Sequence, residues 1–315
     1  MTRTWIVPVV AALALFALPA VLTPYTQDLV VKIAIYAVFA LSLELLVGVT
    51  GLVSLGHAAF LGIGAYVTVL AAGDSGGSVA TVAALAVLAA AGYALFVGAL
   101  SLRTKGVYFI MVTLAFAQMA YFVFHDTKLA GGSDGLFLYA KPALGALNLD
   151  DKRHLYYTVI VTLVATYALL ALLMRARFGH ALAGIRVNEQ RMRAAGFATF
   201  GYKLAAFVIA GALAGLAGFL LAIKDGAVNP ELLSWHESGA VLLMLILGGI
   251  GSLRGAVIGA IAFTLLKELF QLESLLGPVA SHWQMTLGFT IIAFVALLPK
   301  GLIGLRSRFS GAAHG

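Results

Sequence analysis

The sequence predicts an all-α polytopic membrane protein, and three observations lead to that fold class. Hydrophobic residues make up 62% of the 315 residues and charged residues only 10%, whereas a soluble domain is about 25% charged. The mean hydropathy is +1.03. Long apolar runs recur along the whole chain, and a transmembrane helix needs about 20 such residues. We therefore predict one integral-membrane domain over residues 1–315 with about ten transmembrane helices, or eight or nine if a segment is re-entrant.

The predicted spans follow one another with short connections. They are residues 5–23, 29–49, 52–72, 79–100, 107–125, 155–174, 203–223, 236–251, 252–271 and 283–298. The run 236–251 is the weakest, because it is short and ends in three glycines and an isoleucine. The first run could instead be a cleaved signal peptide, although it is longer than the usual apolar region of one.

The orientation of the spans follows from the positive-inside rule, which counts Lys and Arg near span ends. With the amino terminus inside and ten alternating spans, thirteen of the twenty basic residues face the cytoplasm. This places both termini in the cytoplasm. Residues 126–154 then form a periplasmic loop, and residues 175–203 form a cytoplasmic one.

The chain lacks the residues that several kinds of chemistry require. There are no cysteines, which rules out disulfides, zinc–thiolate sites and iron–sulfur clusters. No Gly-Lys pair occurs, so the chain has no Walker-type phosphate loop for ATP. The histidines are scattered, and no nucleophile–base set has a supporting motif. We predict no catalytic residue, no metal site and no cofactor in this chain. Since the basic charge lies at one membrane face, we expect it to meet membrane lipid and proteins, not nucleic acid.

Four polar residues inside or at the ends of predicted spans are candidates for lining a translocation pathway: Glu44, Ser54, His57 and Gln118. Polar groups are costly in hydrocarbon and usually face a cavity or a partner. Hydrogen bonding between helices is the alternative role. Glu44 could also carry protons in an ion-coupled transporter, but such relays use several intramembrane acids or histidines, and here one acid lies near one histidine.

The basic loop 175–203 interrupts the apolar sequence with six Lys or Arg residues and one acid. Apolar and small residues recur within it at spacings of three and four, from Ala181 to Gly196. That pattern predicts one or two short amphipathic helices outside the bilayer. Topology alone needs only a few basic residues, so a patterned insertion of this length indicates a docking surface for another protein.

Five ordered segments resemble the inner-membrane permeases of branched-chain amino acid ABC importers, specifically the M-type subunit of the Liv-type importer. They are TGLVSLGHAAFLGIGAY (50–66), KGVYFIMVTLAFAQM (105–119), GGSDGL (131–136), FGHALAGIRVNEQRMRAAGF (178–197) and SGAVLLMLILGGIGSLRGAVIGA (238–260). The resemblance extends from about residue 30 to residue 305. It implies the ABC importer permease fold and a multi-pass location in the bacterial inner membrane.

The resemblance also implies partners and a coupling site. Such a permease works with a second homologous permease, two ATP-binding cassette subunits that use ATP and Mg²⁺, and a periplasmic substrate-binding protein. The loop residues that match the family's ATPase-coupling segment are Gly179, Arg186, Asn188, Glu189, Arg191, Ala194, Ala195 and Gly196. Glu44 departs from the family, where Asn is frequent.

Three alternatives remain open from the sequence. Related permeases carry urea, short amides or aromatic acids, so the resemblance does not determine the cargo. A self-sufficient, ion-coupled secondary transporter would need no partner subunit. An intramembrane enzyme is disfavoured by the missing catalytic motifs.

Overall fold

A computed structural model describes residues 23–144, 147–272, 282–298 and 301–304, together with residues 15, 16 and 19. The described part is predominantly helical, which confirms the predicted all-α polytopic class. Most of the first predicted span, the signal-peptide alternative that concerns it, and both chain ends lie outside the described residues.

The helices surround a shared apolar core. In chain order they are α1 (Pro24–Glu44), which continues as a π-helix (Leu45–Thr50), α2 (His57–Ala72), α3 (Val79–Ser101), α4 (Val107–Asp126), α5 (Lys152–Arg175), α6 (Arg177–Val187), α7 (Glu189–Ala194), α8 (Thr199–Asp225), α9 (Trp235–Gly248), α10 (Leu253–Gln271) and α11 (Trp283–Leu297). Short 3-10 helices occupy Gly73–Ser75, Lys128–Ala130, Gly132–Asp134 and Pro230–Leu233.

Two small antiparallel strand pairs lie in the connections, a feature that the predicted all-α class did not include. Strand β1 (Leu136–Phe137) pairs with β4 (Ala227–Val228), and β2 (Ala143–Leu144) pairs with β3 (Leu147–Asn148). The β1–β4 pair ties the loop 126–154 to the segment that follows α8. Both segments therefore lie at the same end of the molecule, as the predicted alternation of spans requires.

Six of the predicted spans are single long helices. Among the described residues, six helices are long and apolar enough to cross a membrane, namely α1, α2, α3, α4, α5 and α8 with their short extensions. The pair α9 and α10 passes the same test only together, and it is bent by 114°. The pair predicted as spans 236–251 and 252–271 is therefore one broken span or one re-entrant segment, and the predicted range of eight to ten spans includes the re-entrant case. Helix α11 has 15 residues and is shorter than a typical span.

Contacts at the two ends of α9 fix its position in the bundle. Near its start, Ser238 Oγ accepts a hydrogen bond from the backbone N–H of Ala58 at 2.9 Å. Just beyond its end, the N–H of Gly251 donates to Glu44 Oε1 at 2.7 Å. These contacts place α9 against the start of α2 and the end of α1.

Helices α1 and α8 lie at the centre of the bundle, whereas α3, α4 and α5 lie at its periphery. The most apolar windows of α1 and α8 are each 78% buried, against 33%, 22% and 28% for the three peripheral helices. All five helices are strongly apolar, so the sequence alone could not separate those facing lipid from those facing protein. The peripheral helices expose large apolar side chains, as expected for a lipid-facing surface.

Close helix packing depends on glycine at the α2–α8 crossing. A Cβ added to Gly218 would overlap the backbone oxygen of Leu61, and one added to Gly64 would overlap the backbone oxygen of Gly215. Small residues allow this approach of two backbones where no hydrophobic force drives helices together in lipid. The glycine-rich pattern of these spans thus reflects packing.

Candidate functional site

The basic loop folds into two short helices, α6 and α7, joined at Asn188. The Asn188 side chain accepts a hydrogen bond from the backbone N–H of Arg191 at 2.9 Å and so caps α7. The turn between the helices protrudes, since Val187 is 84% exposed and its neighbour Gln190 is also exposed. The sequence predicted one or two amphipathic helices here. The structure buries Leu182 and Ile185 of α6, whereas α7 buries none of its residues.

Glu189 holds the loop to the first turns of α8. Its Oε1 accepts hydrogen bonds from Arg193 Nη2 at 2.5 Å, Lys203 Nζ at 2.9 Å and Thr199 Oγ1 at 3.2 Å. Desolvation opposes ionisation of this carboxyl, but the hydrogen bonds and charges of Lys203 and Arg193 outweigh it and lower the pKa of Glu189 to about 2. A lowered pKa stabilises the folded loop above the ordinary carboxyl pKa, and that contribution is lost as the pH falls toward about 2. The network is therefore intact throughout the neutral range.

Two glycines shape the ends of the loop. A Cβ added to Gly179 would lie 2.5 Å from Met174 Cα, so α6 turns back tightly against the end of α5. Gly196 adopts φ +86, a left-handed conformation that favours glycine at the end of α7. Ala194, Ala195 and Arg191 are exposed on the loop surface.

Arg186 extends from the loop into the bundle instead of toward solvent alone. Its guanidinium donates a hydrogen bond to the backbone oxygen of Gly48, and its side chain packs against Gly51. Gly48 belongs to the π-helix that ends α1, and Gly51 closes that π-helix in the left-handed region with φ 75. Single π-helical turns of this kind are frequent at functional sites. The loop is thus bonded directly to the end of the central helix.

Glu44 lies beside the same π-helix and is fully buried. Its carboxylate folds over Gly48, where a Cβ would overlap it. Its Oε1 accepts the Gly251 N–H at 2.7 Å, and Oε2 has no hydrogen-bond partner among the described residues. The charge of Arg186 also acts on this carboxylate. Glu44 therefore connects α1 to the bend between α9 and α10, and that contact argues against a role as a freely accessible proton carrier.

We call Arg186, Gly48, Glu44 and Gly251 the inner junction. It joins three parts of the molecule: the basic loop, the central helix α1, and the bend of the α9–α10 pair. The bend itself contains Gly249 at φ 110 and Gly251 at φ 98, conformations that favour glycine. A displacement of α6 would therefore act on the bend through a short series of hydrogen bonds.

His57 is packed in the core, so the structure favours its alternative role in helix–helix bonding. Its Nε2 lies 2.8 Å from Ser42 Oγ, whose hydroxyl donates to the Phe39 backbone oxygen at 2.7 Å. This arrangement assigns the donor hydrogen of His57 to Nε2. The ring stacks on Phe39 at 5.4 Å between centroids and meets Phe60 edge-on at 5.6 Å.

Ser54 and Gln118 do not join the inner junction. Ser54 Oγ accepts the N–H of Gly56 at 3.3 Å and shapes the entry to α2. Gln118 is half-buried on α4, and its Oε1 has no partner among the described residues. Of the four predicted pathway residues, only Glu44 contacts the bend of α9 and α10 directly.

Sequence reasoning missed several residues of the site. The sequence pattern did not identify Gly48, Gly251, Ser42 or Ser238. One signal was present for Gly48, since it follows Glu44 by four residues and so leaves space on the same helix face. In the part of the chain that the structure describes, no group of three His, Asp or Glu residues could hold a metal ion.

Comparison with known proteins agrees with this architecture. Residues 25–296 match the model of the family described as branched-chain amino acid transport system / permease component. The chain is 29% identical over 311 residues to the high-affinity branched-chain amino acid transport system permease protein LivM of Escherichia coli (strain K12), covering 91% of this chain and 72% of LivM. It is 24% identical over 302 residues to the permease BraD of Pseudomonas aeruginosa, covering 89% and 96%.

A further relative matches only half of the chain. The permease LivH of Escherichia coli (strain K12) is 27% identical over 146 residues, which is 46% of each protein. No solved structure matches the chain significantly. Permease components are membrane-embedded subunits without catalytic activity of their own, so this chain is a multi-pass inner-membrane protein and not an enzyme. Because the family model covers most of the sequence, the chain belongs to the family of permease components of branched-chain amino acid transport systems.

Proposed function

We propose that the chain forms part of the inner-membrane path of a binding-protein-dependent ABC importer for branched-chain or other hydrophobic amino acids. ATP hydrolysis in separate subunits supplies the driving force. The observation that carries this proposal is the inner junction, because it bonds an exposed basic loop to the interior of the bundle. A permease that generated its own driving force would not need such a connection.

The proposed mechanism is alternating access controlled through the loop. An ATPase subunit docks on the exposed turn around Val187 and Gln190, with Arg191, Ala194 and Ala195 as further contacts. Its movement on ATP binding displaces α6, and Arg186 transmits that displacement to Gly48. Glu44 then passes it to the bend at Gly251. Since coupling between sites is reciprocal, a loaded binding protein at the opposite end should in turn stimulate the ATPase.

The proposed partners follow from the family and its members. A second homologous permease completes the path, as the similarity to both LivM and LivH suggests two related subunits in one system. Two ATP-binding cassette subunits dock at the loops, with ATP and Mg²⁺ bound by those subunits. A periplasmic binding protein delivers substrate near the loop 126–154.

The cargo is inferred from the relatives, several of which are named for branched-chain amino acid transport. Urea, short amides and aromatic acids are the competing cargoes. Each of these compounds differs from leucine in charge or size. How strongly each one competes with leucine uptake therefore shows which class of cargo the system carries.

A cysteine introduced into the loop tests the docking. The chain has no natural cysteine, so Gln190→Cys creates a single labelling site on the protruding turn. We expect it to react with membrane-impermeant thiol reagents only from the cytoplasmic side, and to crosslink to an ATPase subunit. Lys152→Cys, in the predicted periplasmic region, is the matched control. It should not react from the cytoplasmic side and should not crosslink to an ATPase subunit. Labelling of position 190 from the outside would contradict the proposal.

A further inference from the structure

A cavity of about 390 Å³ lies between α1, α9, α10 and α11, away from the inner junction. Its volume falls within the range of small-molecule sites. Lys32 and Tyr36 line it from α1, and these residues belong to the half of α1 that starts at Pro24. The positive-inside rule assigns that half to the periplasmic side. The cavity therefore lies on the side from which substrate would arrive.

One wall of the cavity carries opposite charges that do not pair with each other. Glu237 of α9 and Lys267 of α10 both line it and interact across it, but neither forms an ion pair among the described residues. Lys267 Nζ instead lies 5.3 Å from the centre of the Trp283 ring. Lys32, in contrast, already has Glu268 at 3.9 Å. The Glu237 and Lys267 side chains are both half-buried, and a ligand that carries both charges can pair with each of them.

Most of the remaining lining is apolar. Met244, Phe263, Leu287 and Ile291 belong to it, and all four side chains are buried. Among them lies Thr264, which is 3% exposed and whose Oγ1 has no hydrogen-bond partner in the described part of the chain. A buried hydroxyl without a partner is unusual. It is an observation independent of the charges, and it indicates that a polar ligand group completes the site.

We propose that this cavity binds a free α-amino acid with an apolar side chain. The ligand carboxylate lies at Lys267, its ammonium at Glu237, and its side chain against the apolar lining, while Thr264 supplies a further hydrogen bond. A zwitterion satisfies both unpaired charges at once, which neither an amine nor an acid does alone. The inference rests on the proposed function and names a substrate site for it. The same helix pair that the inner junction reaches thus also holds the ligand.

The chemical pattern of ammonium, anion and apolar tail also occurs in phosphatidylethanolamine, so the test includes both sources. The full-length chain is purified into nanodiscs of phosphatidylcholine, without ATP and without partner subunits. Binding of radiolabelled leucine is measured in competition with isoamylamine, which lacks the carboxylate, and 4-methylpentanoate, which lacks the ammonium. Co-purified lipid is identified by mass spectrometry.

For the wild-type chain we expect leucine to bind about 10- to 100-fold better than either analogue, because each lost charge leaves one charged group unpaired. Glu237→Gln should weaken leucine by a similar factor and remove its advantage over 4-methylpentanoate. Lys267→Met should remove its advantage over isoamylamine. Glu231→Gln and Lys128→Met, at the same end of the molecule but outside the cavity, should leave all three affinities unchanged.

Saturable leucine binding with unchanged preferences in both cavity variants would overturn the proposal, as would no saturable binding at millimolar leucine. Retention of phosphatidylethanolamine by the wild type but not by the cavity variants, with no displacement by leucine, would assign the cavity to a lipid headgroup. Because this assay contains no ATP or partner, its failure leaves ATP-dependent uptake untouched. Conversely, leucine binding in this assay would support the site even if uptake proved not to depend on ATP.

Discussion

Replacing either Glu44 or Arg186 by alanine should reduce ATP-dependent uptake at least about tenfold, while the chain still inserts and still contacts its ATPase. Glu44→Ala removes the acceptor of the Gly251 N–H and so breaks the contact between α1 and the bend. Arg186→Ala removes the bond to Gly48. Both changes separate the loop from the bend of α9 and α10. Two measurements are made on the same preparations: uptake into vesicles, and crosslinking to the ATPase from a cysteine at position 190. Together they show whether transport is lost while docking is preserved.

Control variants show whether uptake is lost because the loop is separated from the bend or for another reason. Arg177→Ala removes an exposed basic residue of the same loop, and we expect nearly normal uptake. Glu44→Gln retains an oxygen that can accept the Gly251 N–H, so it should transport several-fold better than Glu44→Ala. If Glu44 carried protons, Glu44→Gln would be as inactive as Glu44→Ala. Normal uptake by Glu44→Ala and Arg186→Ala would show that the inner junction does not transmit movement.

Gly218→Val should remove most of the folded protein from the membrane. The added side chain would overlap the Leu61 backbone, which cannot move without displacing α2 from α8. Overpacking of a well-packed core costs about 1–3 kcal/mol even when side chains can adjust, and here the obstacle is backbone. The loss of folded protein is measured in two ways. One is the folded yield after detergent extraction, by size-exclusion chromatography, and the other is the thermal midpoint of the purified protein.

Gly201→Val is the matched control for that variant. Gly201 lies on the same helix α8, and a Cβ added there would meet no atom within 4 Å. The helix-propensity cost of the substitution is similar at both positions, so the difference between the variants isolates the crossing with α2. Equal yields and equal midpoints would contradict the close approach of these helices.

The helical membrane fold was predictable from composition and apolar runs, whereas the path of α9 was not. Its sequence is short and ends in glycines, but it is still apolar enough to be predicted as a span. Tertiary contacts at Ser238 and Gly251 show that it packs against α2 and α1, and its sharp turn into α10 appears only in the fold. Hydropathy measures how favourably a segment transfers from water to an apolar environment. A protein interior is as apolar as lipid in this respect, so hydropathy does not distinguish the two.

The candidate site was predictable in location but not in geometry. The basic, patterned loop indicated a docking surface, and Glu44 was singled out because an intramembrane acid is costly. The direction of Arg186 could not be read from spacing, since the same position on α6 could equally have faced solvent. Glu189 was expected to belong to the coupling segment, and the structure places it in an internal network with Arg193, Thr199 and Lys203. Pairings between distant segments of this kind depend on the fold.

Leucine uptake into proteoliposomes tests the source of the driving force most directly. The chain is reconstituted either alone or with a second permease, two ATP-binding cassette subunits and a binding protein. We predict that leucine accumulates against its gradient only in the complete system and only with ATP on the side of the basic loop. In the chain alone, an imposed proton or sodium gradient should drive no accumulation. Concentrative uptake by the chain alone would show instead that it is an ion-coupled transporter that generates its own driving force.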